Sequence, residues 1–327
     1  MSNDRRAALK KLKSLYLSPK IDLNDFREKI DSSFSSVFLP NNVDCSEKLF
    51  RTTKCDVISP ELFASNRVLI YIHGGSFVGG SRASYRPFVA ALANATASKA
   101  YLPEFRLAPV HPFPAALDDV MNVFQTVFIE TETSLSLNSD GEGFNKTPEV
   151  ILMADTSGAS IASALLFSLK GKFRESVRQV VFFSPWLDFS EKNDMFTLKK
   201  VSDEIFTADS VRLASEHYTY QENWNNPLVS PLKAGRELLM DFPPVFIQMG
   251  EKEIFYDDAV MFQSMLRNVG RKCELDIWKN MMPMFQLADE HLSEAHLALE
   301  RIGSLITAKD RSDEGVHEIL LELERSL

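Results

Sequence analysis

The feature that most constrains the fold is a set of short apolar segments spread along the chain. These segments are rich in β-branched residues, and each is soon followed by Gly, Pro, Asp or Ser; they lie at 68–72, 150–153, 180–183 and 245–249. Segments that are apolar on both faces are typical of buried parallel strands. The sequence therefore predicts a sheet that is covered on both sides.

Stretches with helical periodicity separate these segments, at 85–95, 115–128, 161–169 and 257–269. Strands that alternate with helices predict an α/β protein with a doubly wound, mostly parallel sheet. Ligands of such sheets bind beyond the carboxyl ends of the strands. Functional residues are therefore expected directly after the predicted strands.

Both ends of the chain carry apolar residues at helical spacing. Two short helices are predicted ahead of the sheet from the sets Leu9, Leu12, Tyr16 and Phe26, Ile30, Phe34. A C-terminal helix is predicted from a second stripe, which would pack on the body or join a partner chain; it comprises Val316, Ile319, Leu320 and Leu323. The polar segment 130–146 lacks periodicity and is predicted to be an exposed loop.

Composition excludes several classes of function. The net charge is −9, whereas a nucleic-acid binder normally presents a basic face. The three cysteines, Cys45, Cys55 and Cys273, lack the spacing of a zinc site, so we predict reduced, buried thiols, no metal and no cofactor. A secretory signal and a membrane-spanning segment are not recognisable, which favours a cytoplasmic location.

Two motifs point to a specific chemistry. The sequence His73-Gly74-Gly75-Ser76 directly follows the predicted strand RVLIYI, and adjacent glycines allow backbone N–H groups to face a bound oxyanion. The segments RLAP at 106–109 and HPFPAALDD at 111–119 come next. Together they resemble the HGGG and YRLAPEHPFPAALDD signatures of the hormone-sensitive-lipase-like esterases. The segments SPWLD at 184–188 and VSPL at 229–232 extend this resemblance.

The resemblance implies an α/β-hydrolase fold with an N-terminal helical cap. By this interpretation, residues 1–45 form cap helices and residues 46–310 form the hydrolase domain. A further part of the cap is inserted at about 186–240, and residues 311–327 form the C-terminal helix. His73 and His111 are expected to be structural, and the oxyanion or ligand-binding residues are expected to be His73, Gly74, Gly75, Ser76 and Ser157.

The nucleophile position departs from the family. The family reads GDSAGG at its nucleophile elbow, whereas this chain reads ADTSGA at 154–159, so Thr156 takes the place of the serine. The elbow requires a positive φ, which is unfavourable for a β-branched residue. We therefore predict a relaxed or shifted turn there. The backbone N–H of Ser157, rather than its hydroxyl, matches the oxyanion donor of the family.

The acid and base positions also bear on activity. Glu253 stands where the family has a carboxylate, and Pro283 stands where it has the catalytic histidine. Proline has no ionisable group and cannot accept the proton of a nucleophile. His291 and His296 fall at or within the following helix, so a rescue by either would require a rebuilt loop.

These positions lead to three hypotheses. An alcohol is a poor nucleophile without a base, so the first is a catalytically impaired or inactive member that binds a small apolar ester-like ligand. The alternative is a working carboxylic-ester hydrolase for short or medium acyl esters that uses an atypical nucleophile or base. A third, structural hypothesis needs no pocket and assigns assembly to the C-terminal stripe.

Overall fold

A computed structural model describes residues 3–35, 38–137, 147–190 and 203–308. Its central element is an eight-stranded sheet with the order β1-β2-β4-β3-β5-β6-β7-β8. The pairs β1–β2 and β2–β4 are antiparallel, and all other neighbours are parallel. The strands are β1 Val43–Phe50, β2 Thr53–Pro60, β3 Arg67–Ile72, β4 Lys99–Pro103, β5 Glu149–Asp155, β6 Val177–Phe183, β7 Val245–Gly250 and β8 Cys273–Trp278.

Helices cover both faces of this sheet. Along the sheet, the chain passes from β3 to β4 in one direction. It passes from β5 through β6 and β7 to β8 in the opposite direction. Because such crossovers are right-handed, helices of the two sets lie on opposite faces, and the predicted doubly wound sheet is confirmed. The helices are α1 Asn3–Leu12, α2 Leu23–Phe34, α3 Arg82–Ala95, α4 Ala115–Leu137, α5 Thr156–Ser168, α6 Lys172–Glu175, α7 Ala208–Tyr218, α8 Arg236–Leu239, α9 Tyr256–Asn268 and α10 293–308.

Helix α4 extends further than predicted, because the segment from Glu130 to Leu137 continues it. The loop prediction was wrong for these residues, and residues 138–146 lie outside the described residues. Three hydroxyl side chains in this part of the helix bond to its backbone. The hydroxyls of Thr131, Thr133 and Ser136 each donate a hydrogen bond to the carbonyl four residues earlier.

The two N-terminal helices pack on the body. Phe26, Ile30 and Phe34 are buried on α2, which confirms the second predicted helix. The first helix is shorter than predicted, because Tyr16 follows a 3₁₀ turn at Lys13–Leu15. Arg27 on α2 donates hydrogen bonds to the carbonyl of Val78 at 2.7 Å and to that of Ala108 at 3.2 Å. Helix α2 therefore contacts the loops that follow β3 and β4.

Four further predictions bear on the chain as a whole. All three cysteines are free, and Cys55 and Cys273 are buried as predicted, but the prediction was wrong for Cys45, which is exposed on β1, a strand with six consecutive exposed residues. Of the helices within the described ranges, none combines the length and the apolarity that crossing a membrane requires. The C-terminal stripe lies outside the described residues, and the division into cap and hydrolase domain stays a prediction.

Candidate active site

The predicted site residues collect at one edge of the sheet. Strand β3 leads into His73, β5 leads into Thr156, and β7 leads into the turn that carries Glu253. These strands are parallel, so their carboxyl ends meet at the same edge. Ser184, which directly follows β6, also lies there.

The nucleophile elbow is kept despite the threonine. Thr156 has a φ of 41°, so the prediction of a relaxed or shifted turn was wrong. Contacts of Thr156 and of the first turn of α5 hold this backbone conformation. The backbone N–H of Trp186 donates to the Thr156 carbonyl at 3.1 Å, and Gly158 crosses β3 so closely that a Cβ would overlap the Ile72 carbonyl. The surrounding structure thus outweighs the local preference of a β-branched residue.

Asp155 occupies the centre of this edge, and its importance was not predicted. Its carboxylate accepts hydrogen bonds from four donors, the hydroxyls of Tyr71 (2.9 Å), Tyr85 (3.1 Å) and Thr156 (3.1 Å) and the backbone N–H of Gly74 (2.8 Å). Burial raises the pKa of Asp155 to about 6, although these hydrogen bonds oppose the shift. The carboxylate thereby joins the glycine-rich loop to the elbow.

The glycine-rich loop lies against Thr156 and Ser157. A Cβ at Gly74 would overlap the Thr156 hydroxyl, and Gly75 has a φ of 96°. The Ser157 hydroxyl accepts a hydrogen bond from the backbone N–H of Phe77 at 3.2 Å. Both glycines are therefore required by the geometry. The predicted oxyanion role of this loop and of Ser157 stays a prediction.

A small cavity adjoins these residues. Its volume is about 10 Å³, which is room for about one water molecule. Its lining includes hydroxyl side chains of the glycine-rich loop and of the nucleophile elbow, together with three aromatic side chains. The lining residues are Ser76, Thr156, Ser157, Trp186, Phe206, Ser210, Val211 and Phe255.

His73 is engaged in packing. Its ring stacks on Phe105 with centroids 4.3 Å apart and on Tyr85 with centroids 5.1 Å apart, and its Nδ1 bonds with the Gly74 carbonyl at 2.9 Å. Burial lowers the pKa of His73, so the ring is neutral at neutral pH. His111 is exposed at the surface.

Glu253 at the acid position is buried with one oxygen partnered. Its Oε1 accepts from the backbone N–H of Gly250 and from the Ser184 hydroxyl at 2.9 Å, while Oε2 has no hydrogen-bond partner among the described residues. Burial raises the pKa of Glu253 well above its usual range, so the folded structure favours the protonated form of the carboxyl. Ser184 in turn accepts from the backbone N–H of Met284 at 3.2 Å. This chain of hydrogen bonds brings Glu253 beside the segment that contains Pro283.

The structure brings no described histidine to the small cavity. Pro283 itself is buried. His296 is 65% exposed and lies 3.5 Å from Asp289 and 3.4 Å from Glu300, whereas His291 lies 3.6 Å from Glu290. These contacts hold both rings among surface carboxylates. Within the described ranges, no group of three or more His, Cys, Asp or Glu residues is arranged to hold a metal ion.

Comparisons with known proteins agree with this architecture. A family model described as the α/β-hydrolase fold matches residues 69–287. The chain is 27% identical to an esterase of Acinetobacter venetianus over 76% of this chain and 77% of that one. It is also 27% identical to an acetyl-hydrolase of Streptomyces hygroscopicus over 73% of this chain and 75% of that one.

Solved structures show the same fold. An esterase from the bacterial hormone-sensitive lipase family superposes with a TM-score of 0.80 at 24% identity, over 94% of this chain and 98% of that chain. This likeness and the family match confirm the predicted fold and the resemblance on which it rested. The chain belongs to the α/β-hydrolase-fold family and is a carboxylesterase- and lipase-like member of it.

Proposed function

We propose that this chain binds a short carboxylic ester, such as an acetyl ester, beside Thr156 and hydrolyses it only slowly. The cavity has room for about one water molecule, so only the methyl end of an acetyl group fits in it, beside the hydroxyls, and the rest of the ester lies outside. The name of the acetyl-hydrolase relative supports the same ligand class. The single observation that supports slow turnover is the hydrogen bond from the Thr156 hydroxyl to Asp155, in a site where Pro283 holds the predicted base position.

Turnover is slow in this proposal because of the residues at the predicted base and acid positions, Pro283 and Glu253. Attack on an ester carbonyl requires a group that removes the hydroxyl proton. Loss of one member of such a triad typically lowers kcat by roughly 10⁴-fold or more, and the remaining members recover little of it. Glu253 keeps a buried position, but its carboxyl bonds to Gly250 and Ser184, and without an imidazole it cannot assist the attack.

The experiment measures ligand binding and turnover separately. Saturation-transfer NMR with ethyl acetate is expected to detect binding that Val211→Phe abolishes, because Val211 lines the cavity. Val260→Phe is the matched control, since Val260 is exposed on α9. Hydrolysis of p-nitrophenyl acetate by the natural chain is expected to stay within about threefold of the Thr156→Ala variant. Absence of ethyl acetate binding would contradict the proposed ligand.

A second candidate function is a working ester hydrolase, and the names of the relatives favour it over an inactive protein. One contact gives this candidate a mechanism. The Thr156 hydroxyl lies 3.1 Å from Asp155 Oδ2, and a pKa of about 6 suits a general base near neutral pH. The Thr156 proton would pass to Asp155 as Oγ1 attacks the carbonyl, and the leaving alcohol would take that proton, which leaves the acyl group on Oγ1. A water molecule would then attack this acyl group and give a proton to Asp155, and Oγ1 would take that proton back as the carboxylic acid leaves.

The pH profile separates the two candidates. If Asp155 acts as the base, kcat/KM rises with pH through about 6, because only the carboxylate accepts a proton. A rate at least a hundred times that of Thr156→Ala, with this profile and with loss of activity in Asp155→Asn, would establish the second candidate. A rate equal to that of Thr156→Ala at every pH excludes it.

A further inference from the structure

A larger cavity lies at the amino-terminal edge of the sheet, opposite the edge that carries Thr156. Strand β3 begins at Arg67 and β4 begins at Lys99, and both residues line this cavity. Residues in the C-terminal half of α4 line it from the other side, and its volume is about 400 Å³. An apolar cavity of about 150 Å³ holds benzene, so this one has room for a two-ring molecule.

Four side chains from three neighbouring strands line one side of this cavity. Lys99 and Tyr101 are two residues apart on β4, so their side chains lie on the same face of the sheet. The strand register places Val57 of β2 beside Tyr101 and Val68 of β3 beside Lys99. Both valines are buried, so the cavity has an apolar surface next to two polar groups.

The two polar groups are hydrogen-bond donors that a ligand can reach. Tyr101 is 6% exposed, and its hydroxyl retains accessible surface but bonds to none of the described residues. Burial raises the pKa of Tyr101, so the hydroxyl keeps its proton and can donate. Lys99 is half-buried, and its ammonium has no ion pair or hydrogen bond within the described ranges. A ligand acceptor that contacts both donors is therefore favoured.

The charges around the cavity favour an anionic acceptor. Lys48 and Glu130 form an ion pair at 2.6 Å, so they neutralise each other. Arg67 is buried, and its guanidinium donates to the Thr96 carbonyl at 3.1 Å. Lys99 is thus a positive charge that no described carboxylate pairs with. A carboxylate ligand supplies the opposite charge together with two acceptor oxygens.

We propose that this cavity binds a small aromatic carboxylate, which accepts from the Lys99 ammonium and the Tyr101 hydroxyl. Its rings would lie against Val57, Val68 and Phe63, a lining residue that is 40% exposed. Pairs of aromatic rings contribute more than the area that they bury, which favours an aromatic acid over an alkyl acid. The site is independent of the proposed ester site, because the two lie at opposite edges of the sheet.

The test uses three probes with one two-ring skeleton in isothermal titration calorimetry of the full chain. Naphthalene-2-carboxylate is expected to bind at least about fivefold more tightly than naphthalene-2-carboxamide, since a charged acceptor forms the stronger hydrogen bonds. The cation 2-naphthylmethylammonium is expected to bind at least about tenfold more weakly than the carboxylate. Equal affinity for the carboxylate and the carboxamide, or no saturable binding of the carboxylate, would overturn the proposal.

Variants of the two donors test their separate roles. Lys99→Met is expected to abolish the preference for the carboxylate over the carboxamide. Lys54→Met, on the neighbouring strand and outside the lining, should keep that preference. Tyr101→Phe should weaken both probes at least about threefold, because both accept from the hydroxyl. An unchanged preference in a folded Lys99→Met chain would refute the site.

A second pair of variants locates the rings of the ligand. Phe63→Ala is expected to weaken carboxylate binding at least about fivefold. Leu62→Ala is the matched control, because Leu62 is 82% exposed and does not line the cavity, and binding should stay within about twofold. Equal effects of the two changes would contradict this placement. The comparison of the three probes on the natural chain holds even if Tyr101→Phe fails to fold.

Discussion

At the residue scale, the proposed loss of hydrolytic activity depends on Thr156 and Pro283. The left-handed turn still presents a hydroxyl, but that hydroxyl donates to Asp155, a carboxylate that also ties the glycine-rich loop in place. The acid position keeps a buried glutamate whose Oε2 has no partner among the described residues. The left-handed turn and the buried glutamate are therefore present, whereas the position predicted for the base holds proline.

Restoring two side chains should restore the chemistry. Thr156→Ser with Pro283→His is expected to raise kcat/KM for p-nitrophenyl acetate at least about a hundredfold, because a histidine there could pair with Glu253 and take the serine proton. Either change alone should give less than tenfold, since the members act as a unit. Steady-state kinetics of the four chains provide the measurement. An equal gain from Thr156→Ser alone would show that the base is already present.

The buried Glu253 makes a pH-dependent contribution to stability. Its pKa is raised in the folded chain, so folding favours the protonated form, and this contribution is lost as pH rises above the unfolded value of about 4.3 toward the folded pKa. Glu253→Gln mimics the protonated side chain. It should make the slope of the unfolding free energy less negative at pH values above about 4.3, by up to about 1.4 kcal/mol per pH unit.

Urea denaturation at several pH values measures this slope. Glu251→Gln is the matched control, because Glu251 is exposed in the same turn and should leave the slope unchanged. Equal slopes for Glu253→Gln and the natural chain would show that burial does not raise the pKa of Glu253.

The site was only partly predictable from sequence. Motifs identified the strand ends that carry His73, Thr156 and Glu253, because parallel strands bring such positions together. The motifs gave no signal for Asp155 as an acceptor of four hydrogen bonds, since two of its partners are tyrosines far away in the chain. The turn at Thr156 was mispredicted because local propensity was weighed without the contacts that hold the elbow.

At the element scale, the position of α5 on the sheet depends on one close crossing. Gly158, in the first turn of α5, meets the end of β3 where a Cβ would overlap the carbonyl oxygens of Ile72 and His73. The same turn carries Thr156, whose carbonyl accepts from the Trp186 N–H. The geometry of the site is thus set by the packing of α5 against β3.

Gly158→Ala should test this crossing. We expect a loss of about 3 kcal/mol or more in the free energy of unfolding, because backbone on both sides must move. Gly171→Ala is the matched control. Gly171 has a φ of 51° but open space around it, so only backbone strain of about 1–2 kcal/mol applies. Urea denaturation compares the variants, and equal losses would contradict the role given to the crossing.

Sequence patterns found four of the eight strands and missed β1, β2, β4 and β8. Strands β3, β5, β6 and β7 are apolar on both faces and were predicted. Strand β1 has the sequence VDCSEKLF with six consecutive exposed residues, so it lacks an apolar signal. Its pairing with β2 depends on long-range register, which local periodicity does not encode.

At the scale of the whole molecule, the N-terminal helices and the sheet share one apolar core. The residues Ala8, Leu12, Phe26, Ile30 and Phe34 belong to the same buried cluster as the strands. The ion pair of Arg5 with Glu204 and that of Lys11 with Glu290 add links to distant parts of the chain. One continuous core predicts a single cooperative unfolding transition.

Phe26→Ala should lower the stability of the whole described body. Phe26 is 0% exposed, and truncation of a buried phenylalanine costs about 3–5 kcal/mol. Circular dichroism and the fluorescence of Trp186, Trp224 and Trp278, all outside α1 and α2, should show the same lowered midpoint. Phe38→Ala, at a residue that is 94% exposed, is the control. An unchanged tryptophan transition would mean that the helices unfold separately.

The most direct test of impaired chemistry is intact-mass spectrometry of the natural chain incubated with a fluorophosphonate. These reagents form a stable adduct only with an activated hydroxyl. We predict no adduct on Thr156 or Ser157 of the natural chain over hours at neutral pH, and stoichiometric labelling of the Thr156→Ser, Pro283→His double variant. An adduct mapped to Thr156 of the natural chain, absent after heat denaturation, would contradict the account.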